Sequence, residues 1–473
     1  MLARLSERLS ALFRAVFPDP FVIAVLLTVV TVVLALMLAD SSLRQVVDAW
    51  SGMGAGGGFG TGGVWALLKF SMQMCLILVT GHVLAASPPV SWLIDRLAAL
   101  PRSGAQAAAL VAFVAATLAV LNWGLGLIGG ALMARRVGIA MDRRGIAVHY
   151  PLLAAAGYVG LMVWHGGLSG SAPLSSTTVE GLRSTLGAAA QGVDPIPLSR
   201  TLFAPYNIVI TLGLLVIAPL VFARMHPKSQ ALIRPAHLYV SAAGHAGEHL
   251  PRLAHTDDRP GWLPRVLEET PIINVMLVAL IGAWAWAYYV PADLSQSGLM
   301  NLGLDAVNLT MLMLGLLLNG TPRRFLGAVE EAAGGCAGII IQFPLYAGIM
   351  GIMKETGLTA LLANEIASTS SPRMLPMMTF AAASLINLFV PSGGGQWAVQ
   401  GPIALEAARQ LGVEPGRMVM SVAYGDQLTN MLQPFWALPL LAITGAKARE
   451  IVGYTAVVMA AGGLWMAAGI LLL

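Results

Sequence analysis

The chain has 473 residues, of which 57% are hydrophobic and 11% charged, with a formal net charge of +4 and a mean hydropathy of +0.76. A soluble domain carries roughly 25% charged residues, so an integral membrane protein is implied, and the Lys and Arg fall mostly between apolar runs, where orientation signals sit, which argues against a nucleic-acid partner. Cys75 and Cys336 lie singly within apolar segments, which gives neither metal-ligand spacing nor a disulfide framework.

Along residues 2–17, Leu2, Leu5, Leu9, Leu12, Phe13 and Val16 recur at helical spacing with Arg4, Arg8 and Arg14 between them. This pattern predicts an amphipathic helix over 1–19 lying on the inner membrane surface. The apolar run at 20–39 is longer than a signal-peptide core and has no convincing cleavage pattern, so it is read as the first crossing. Further runs follow at 64–86, 104–121, 151–169, 202–224, 271–290, 304–319, 336–353, 374–390, 418–444 and 451–473. Most reach the ~17–25 residues that a spanning helix needs, and about ten crossings are expected. The fold class is therefore an all-α polytopic membrane protein.

A polar segment, 225–270, holds five of the eight His and divides the chain into membrane halves at 20–224 and 271–473. Within it, His245-Ala246-Gly247-Glu248-His249 matches H-x-x-E-H, but Gly244, Gly247 and Pro251 undermine the helix that would align the two histidines. The halves echo one another. Tyr158 pairs with Tyr424, Pro173 with Pro439 and Gly129 with Gly395, each 266 positions on, and Gln73 with Gln342 at 269.

With the N-terminus cytoplasmic, alternate crossing places Arg102, Arg135, Arg136, Arg143, Arg144, the linker, Arg323 and Arg324 inside, as the positive-inside rule requires. The counterpart loop with Glu406, Arg409, Glu414 and Arg417 sums to zero charge and suits the outer face. The segment near 304–319 supplies the odd crossing that inverts the second half, so two inverted-topology repeats are expected.

Two glycine-rich breaks occupy corresponding places: Asn122-Trp123-Gly124-Leu125-Gly126-Leu127-Ile128-Gly129-Gly130 and Val390-Pro391-Ser392-Gly393-Gly394-Gly395-Gln396-Trp397. Irregular backbone survives in a bilayer only where protein or a wet cavity receives it, and paired interruptions point to a midplane binding site. Gln396 to Leu405 would make a limb of about 15 Å, near half of the hydrocarbon core, and residues 127–134 a similarly short one. Two re-entrant hairpins are predicted. Their helix N-termini would direct unpaired N–H groups at an anion, with Ser392, Gln396 and Asn122 adding side-chain donors.

A second pair of broken helices runs Trp164-His165-Gly166-Gly167-Leu168-Ser169-Gly170-Ser171-Ala172-Pro173 and Tyr424-Gly425-Asp426-Gln427-Leu428-Thr429-Asn430-Met431-Leu432-Gln433-Pro434. An aspartate at a membrane helix centre costs about 2.5–3.5 kcal/mol on insertion scales and usually serves an ion or proton path. Neither glycine break holds Lys or Arg, so a bound carboxylate needs a co-bound cation. That cation is either Na⁺ near Asn122, Ser392 and Asp426 or a proton on Asp426 or His165. Trp123, Trp164, Phe389, Trp397, Phe435 and Trp436 flank the breaks and would leave room for a short apolar tail. The candidate substrate and ion residues are Asn122, Trp123, Gly124, Gly126, Ser169, Ser171, Ser392, Gly393, Gly394, Gly395, Gln396, Asp426, Gln427, Asn430 and Gln433. A rival reading takes Gly167-Leu168-Ser169-Gly170 as the G-x-S-G of an intramembrane serine protease with His82 as its base, but the length and the duplication do not suit one.

The second break, with Gln400-Gly401-Pro402 after it, resembles the bacterial short-chain fatty acid transporter (AtoE-like) family. So do Phe17-Pro18-Asp19-Pro20, Met72-Gln73-Met74, Val79-Thr80-Gly81-His82, Asn122-Trp123-Gly124, Ser169-Gly170-Ser171, Gln342-Phe343-Pro344 and Gln433-Pro434-Phe435-Trp436-Ala437-Leu438-Pro439. The resemblance implies uptake of small monocarboxylates such as acetoacetate or butyrate across a bacterial inner membrane. It also implies the ion-transporter superfamily with its inverted repeats, hairpins, homodimers and elevator motion. The expected activity is secondary transport of a short-chain carboxylate with Na⁺ or H⁺ and no other cofactor. The alternative is transport of another small carboxylate, a dicarboxylate or an amino acid.

Overall fold

The computed structural model describes residues 8, 11, 12, 15, 18–54, 58–186, 194–240, 261–291, 304–361 and 371–473. Most of the expected N-terminal amphipathic helix and the whole His245–His249 motif lie outside the described residues. Twenty α-helices have both ends within the described residues, in chain order: α1 (Pro20–Leu38), α2 (Leu43–Ser51), α3 (Leu68–Ala86), α4 (Pro88–Ala99), α5 (Gly104–Leu121), α6 (Trp123–Arg143), α7 (Tyr150–Tyr158), α8 (Ser171–Ser175), α9 (Val179–Leu186) and α10 (Pro205–Met225). After the linker come α11 (Trp262–Glu269), α12 (Ile272–Tyr289), α13 (Leu304–Asn319), α14 (Pro322–Ala333), α15 (Ala337–Glu355), α16 (Leu375–Asn387), α17 (Gly393–Leu411), α18 (Pro415–Thr429), α19 (Pro434–Thr444) and α20 (Ala448–Leu472). Among the described residues nine helical stretches are long and apolar enough to cross a membrane. The protein is an all-α polytopic membrane protein.

Small side chains set the packing. On α5, Ala108, Val111, Ala112, Ala115 and Ala119 are fully buried and form a low face that admits α6 closely. At Gly130 a Cβ would come within 2.1 Å of the Gly157 carbonyl oxygen, so α6 and α7 touch backbone to backbone. Gly425 does the same for α18 and α16, where a Cβ would lie 2.4 Å from Ala383 Cβ and 2.5 Å from the Phe380 carbonyl oxygen.

The order helix, break, helix, interrupted helix occurs twice. In the first half it is α5, Asn122, α6, α7 and the non-helical or 3₁₀ stretch 159–170 before α8. In the second it is α16, residues 388–392, α17, α18 and the turn at 430–433 before α19.

The helices after the breaks are longer than the sequence suggested. They run 21 residues for α6 and 19 for α17, or about 31 Å and 28 Å at 1.5 Å per residue. Arg135, Arg136 and Arg143, expected in a loop, stay helical. Arg135 reaches Glu331 on α14 at 4.0 Å and Arg136 reaches Asp95 on α4 at 3.7 Å, so the helix can carry them past the apolar run. The amphipathic α2, α4 and α14 lie outside the predicted crossings, because a search for long apolar runs passes over mixed sequences.

Candidate functional site

The breaks are made by polar N-caps rather than by glycine. Asn122 is extended (φ −155°, ψ 131°), and its Oδ1 accepts the N–H groups of Gly124 at 2.9 Å and Leu125 at 3.2 Å. Ser392 is extended as well (φ −157°, ψ 106°), with Oγ accepting from the Gly395 N–H at 3.2 Å. Each side chain offers an acceptor to its own helix, which is what a cap does. Gln396 donates to the Ala383 carbonyl at 2.9 Å and to Gln400 Oε1 at 3.0 Å, tying α17 to α16.

Both helix starts abut the interrupted segment 164–171. The Trp123 N–H donates to Ser169 Oγ at 3.0 Å, and the Leu168 N–H donates to the Val120 carbonyl at 2.7 Å. Ser169 therefore caps α6. His82, the base that a protease would need, instead lies 3.6 Å from Glu331. On the other side, a Cβ at Gly393 would fall 2.7 Å from His165 Cε1 and 2.8 Å from both Ser171 Oγ and Trp164 Cη2. Gly124 and Gly126 are buried within α6, where Gly126 packs on Ala119. Gly394 lies beside Ser171 Cβ.

At the centre, His165 Nδ1 stands 2.7 Å from Asp426 Oδ2, with both side chains buried. The Ala172 N–H donates to His165 Nε2 at 3.1 Å, and Ser171 Oγ lies 3.2 Å from the same nitrogen. Since Nε2 accepts a backbone N–H, the network assigns the ring proton to Nδ1, where it is shared with the carboxylate. Serine, histidine and aspartate stand in the order of a hydrolase triad. However, the Nε2 lone pair that would activate a serine is already taken by the Ala172 amide.

Backbone ties hold the ring in register. Gln427 Oε1 accepts the N–H groups of His165 at 3.0 Å and Gly166 at 3.1 Å. Asn207 on α10 donates to the Gly166 carbonyl at 2.9 Å, and its Oδ1 accepts from the Tyr424 hydroxyl at 2.9 Å. Trp164 stacks on the imidazole, with centroids 4.2 Å apart. An aromatic wall continues through Trp123 (6.3 Å from Trp164) to Trp436 (5.2 Å from Trp123).

At the second interruption, Asn387 Nδ2 at the end of α16 lies within hydrogen-bond distance of the Asp426 carbonyl at 2.7 Å, Asn430 Oδ1 at 3.0 Å and Thr429 Oγ1 at 3.1 Å, with two hydrogens to share among them. Gln433 donates to the Asn387 carbonyl, and the Tyr158 hydroxyl donates to the carbonyls of Asn430 and Gln433. A small pocket lined by Tyr158, Met431, Gln433, Pro434 and Thr455 adjoins this turn. Asn207, Asn387 and the joining of His165 to Asp426 were not foreseen. The available signal was two lone asparagines in apolar runs, where an amide needs a partner.

Residues 1–473 match the short chain fatty acid transporter family. The chain belongs to this family. It is 38% identical over the full length of both chains to a relative from Escherichia coli (strain K12) named as a short-chain fatty acid transporter. It is 36% identical, over 96% of both chains, to one of the same name from Haemophilus influenzae. Among solved structures it covers 97% of the Alcanivorax borkumensis YdaH transporter at 14% identity with a TM-score of 0.44, too remote a likeness to place any residue. This family member is thus a multi-pass membrane transporter and not an enzyme, and the protease alternative is set aside.

Proposed function

We propose that the protein takes up a short-chain monocarboxylate such as butyrate or acetoacetate together with a monovalent cation, Na⁺ or H⁺. One observation carries this reading. The first N–H groups of α17, at Gly393 and Gly394, have no protein acceptor among the described residues, and they stand beside Ser171 and the buried His165–Asp426 pair. A helix N-terminus favours a negative group there, and Ser171 adds a hydroxyl. Trp164 and Trp123 would flank the tail.

The charge balance requires the cation. With the proton on Nδ1, the pair already carries one negative charge in a low-dielectric site, and a second anion beside it is strongly disfavoured unless a positive charge arrives with it. Substrate and cation thereby raise each other's affinity, and the doubly loaded and empty sites carry the same net charge, as alternating access needs. The basic residues flanking the first-half helices support a cytoplasmic N-terminus in a bacterial inner membrane.

Reconstituted protein should accumulate labelled butyrate when a Na⁺ or a proton gradient is imposed. Saturable uptake competed by unlabelled butyrate is expected. The proposal fails if neither gradient drives uptake of any C2–C6 monocarboxylate, or if flux is uncoupled and non-saturating.

A further inference from the structure

We infer that residues 226–240 form a strap released by protons: two neutral imidazoles, His226 and His149, buckle this part of the linker to the membrane bundle, and acid on that face undoes both buckles and slows transport. The regulatory half of the inference rests on the transport reading; the strap itself does not.

The segment leaves α10 and lies against the starts of α5, α7 and α20 and the end of α6. The Tyr150 N–H donates to the Arg234 carbonyl at 2.9 Å, and Arg234 and Tyr239 both reach Glu450 Oε1 on α20 at 2.9 Å. Ala236 is fully buried, and a Cβ at Gly138 of α6 would lie 3.1 Å from its own Cβ.

Two further bonds depend on charge. The His149 N–H donates to His226 Nε2 at 3.3 Å, and the Arg234 N–H donates to His149 Nδ1 at 3.2 Å. Each accepting nitrogen must keep its lone pair. A proton there turns the acceptor into a donor facing a second N–H, and a main-chain group loses its partner. The rings are held on their other sides as well. The Pro227 carbonyl takes a hydrogen bond from His226, and the Tyr454 hydroxyl of α20 stands 3.0 Å from His149 Nε2.

The surroundings of His226 disfavour a proton. Burial holds its pKa below 6.5. The positive ends of two helices also close on it: a Cβ at Gly104, the first residue of α5, would lie 2.0 Å from Nε2, and His149 is the N-cap of α7. The neighbouring charges are engaged elsewhere or face solvent. Glu450 takes Arg234, Arg144 donates to the Ala99 and Pro101 carbonyls, and Arg102, Arg224 and Lys228 are exposed. His237 lies 2.9 Å from Asp142 of α6 and is mostly exposed, so a proton there strengthens the strap, and release falls to His226 and His149. The sign follows: the strap is fastened at neutral pH and loosens as pH falls below 6.5.

Fastening reaches the site through α7. At its start the Tyr150 hydroxyl donates to the Thr444 carbonyl at 2.9 Å, and at its end Tyr158 holds the carbonyls of Asn430 and Gln433. The chain then runs directly into the interrupted segment that carries His165. A freed strap takes away the acceptor of the Tyr150 N–H and loosens this helix at its root. In a protein that brings acid into the cell, such a switch slows uptake once the cytoplasm turns acid.

Hydrogen–deuterium exchange of the purified full-length protein at pH 7.5 and 5.5, corrected for intrinsic rates, reads the strap directly. Peptides holding the His149, Tyr150 and Arg234 amides should exchange about fivefold faster or more at pH 5.5, as a local opening requires. His226→Gln, whose amide oxygen can accept the His149 N–H at either pH, should at least halve that increase. Equal corrected exchange at the two pH values in the wild type would overturn the strap whether or not the variant folds, and an equal increase in the variant would do the same. The second readout is exchange of labelled for unlabelled butyrate by reconstituted protein, with one pH on both faces and the flux of protein-free vesicles subtracted. Wild-type flux should fall at least threefold from pH 7.5 to 5.5, and that of His226→Gln less than half as far. Faster amide exchange without butyrate flux at either pH rejects the transport reading alone, and faster amide exchange with the same flux response in both proteins overturns the regulatory role.

Discussion

Gly393→Ala tests the contact between α17 and the His165 segment directly. A methyl at this position would lie 2.7 Å from His165 Cε1 and 2.8 Å from Ser171 Oγ and Trp164 Cη2, closer than carbon and its neighbours tolerate. The Trp164–His165 stack cannot slide freely, because the ring is held by Asp426 on one side and Ala172 on the other. Overpacking of this kind costs about 1–3 kcal/mol, against which alanine's better helix propensity returns at most about 1 kcal/mol. The net cost of up to about 2 kcal/mol corresponds to a fall of up to about 30-fold in the population of the correctly assembled site. Gly394→Ala is the matched control, since its methyl would meet only Ser171 Cβ, at 3.9 Å. The thermal midpoint should fall for the first variant, with the initial rate of butyrate uptake, and stay near wild type for the second. Equal thermal midpoints for the two would refute the claim that the start of α17 is fitted against His165.

Other perturbations separate the remaining contacts. His165→Ala and Asp426→Asn should each reduce uptake at least tenfold, and the double variant should cost less stability than the sum by about 0.5–3 kcal/mol; simple additivity of the unfolding free energies would show that the pair is not coupled. Gln427→Leu strands the N–H groups of His165 and Gly166, each costing about 1–3 kcal/mol when buried and unpaired, so denaturant unfolding should register a loss well beyond that of a surface change. Ser392→Ala removes the cap of α17 and should destabilise by about 0.5–2 kcal/mol, read in the same unfolding experiment. His226, just beyond α10, accepts the His149 N–H at 3.3 Å, and burial chiefly holds its pKa below 6.5. Because the unfolded chain binds the proton more readily, stability should fall as pH drops below 6.5, and His226→Gln should flatten that slope in thermal unfolding curves.

Membrane class, the order of the main apolar helices and the two interrupted regions were legible because composition, run length and paired breaks are local properties. Where each break falls was less legible, since a polyglycine run looks like the break itself. The turn is made one residue before each helix, by Asn122 and Ser392, and of the glycines that follow Gly126 and Gly393 lie close against neighbouring atoms. Limb length was hidden because charged residues normally end an apolar run, whereas Arg135 and Arg136 find partners on α14 and α4 and remain helical. His165 and Asp426 each looked able to carry a charge, but they lie 261 positions apart, and only the packed fold shows that they share one proton.

The same limit explains why Asn387 passed unnoticed. An asparagine ending an apolar run is unremarkable until α18 is brought against α16 at Gly425, when two helix C-termini, both rich in oxygen, meet beside it. The start of α17, whose first N–H groups have no acceptor among the described residues, follows six residues later in the chain. Helix polarity serves the site: the amide start of α17 faces the His165–Asp426 pair. A carboxylate bound there and the cation proposed to accompany it would each relieve the other's electrostatic cost, without a lysine or arginine. That arrangement resolves the absence of basic residues from both breaks, because the positive charge needed to bring an acid into the membrane would be bound with it rather than built into the chain.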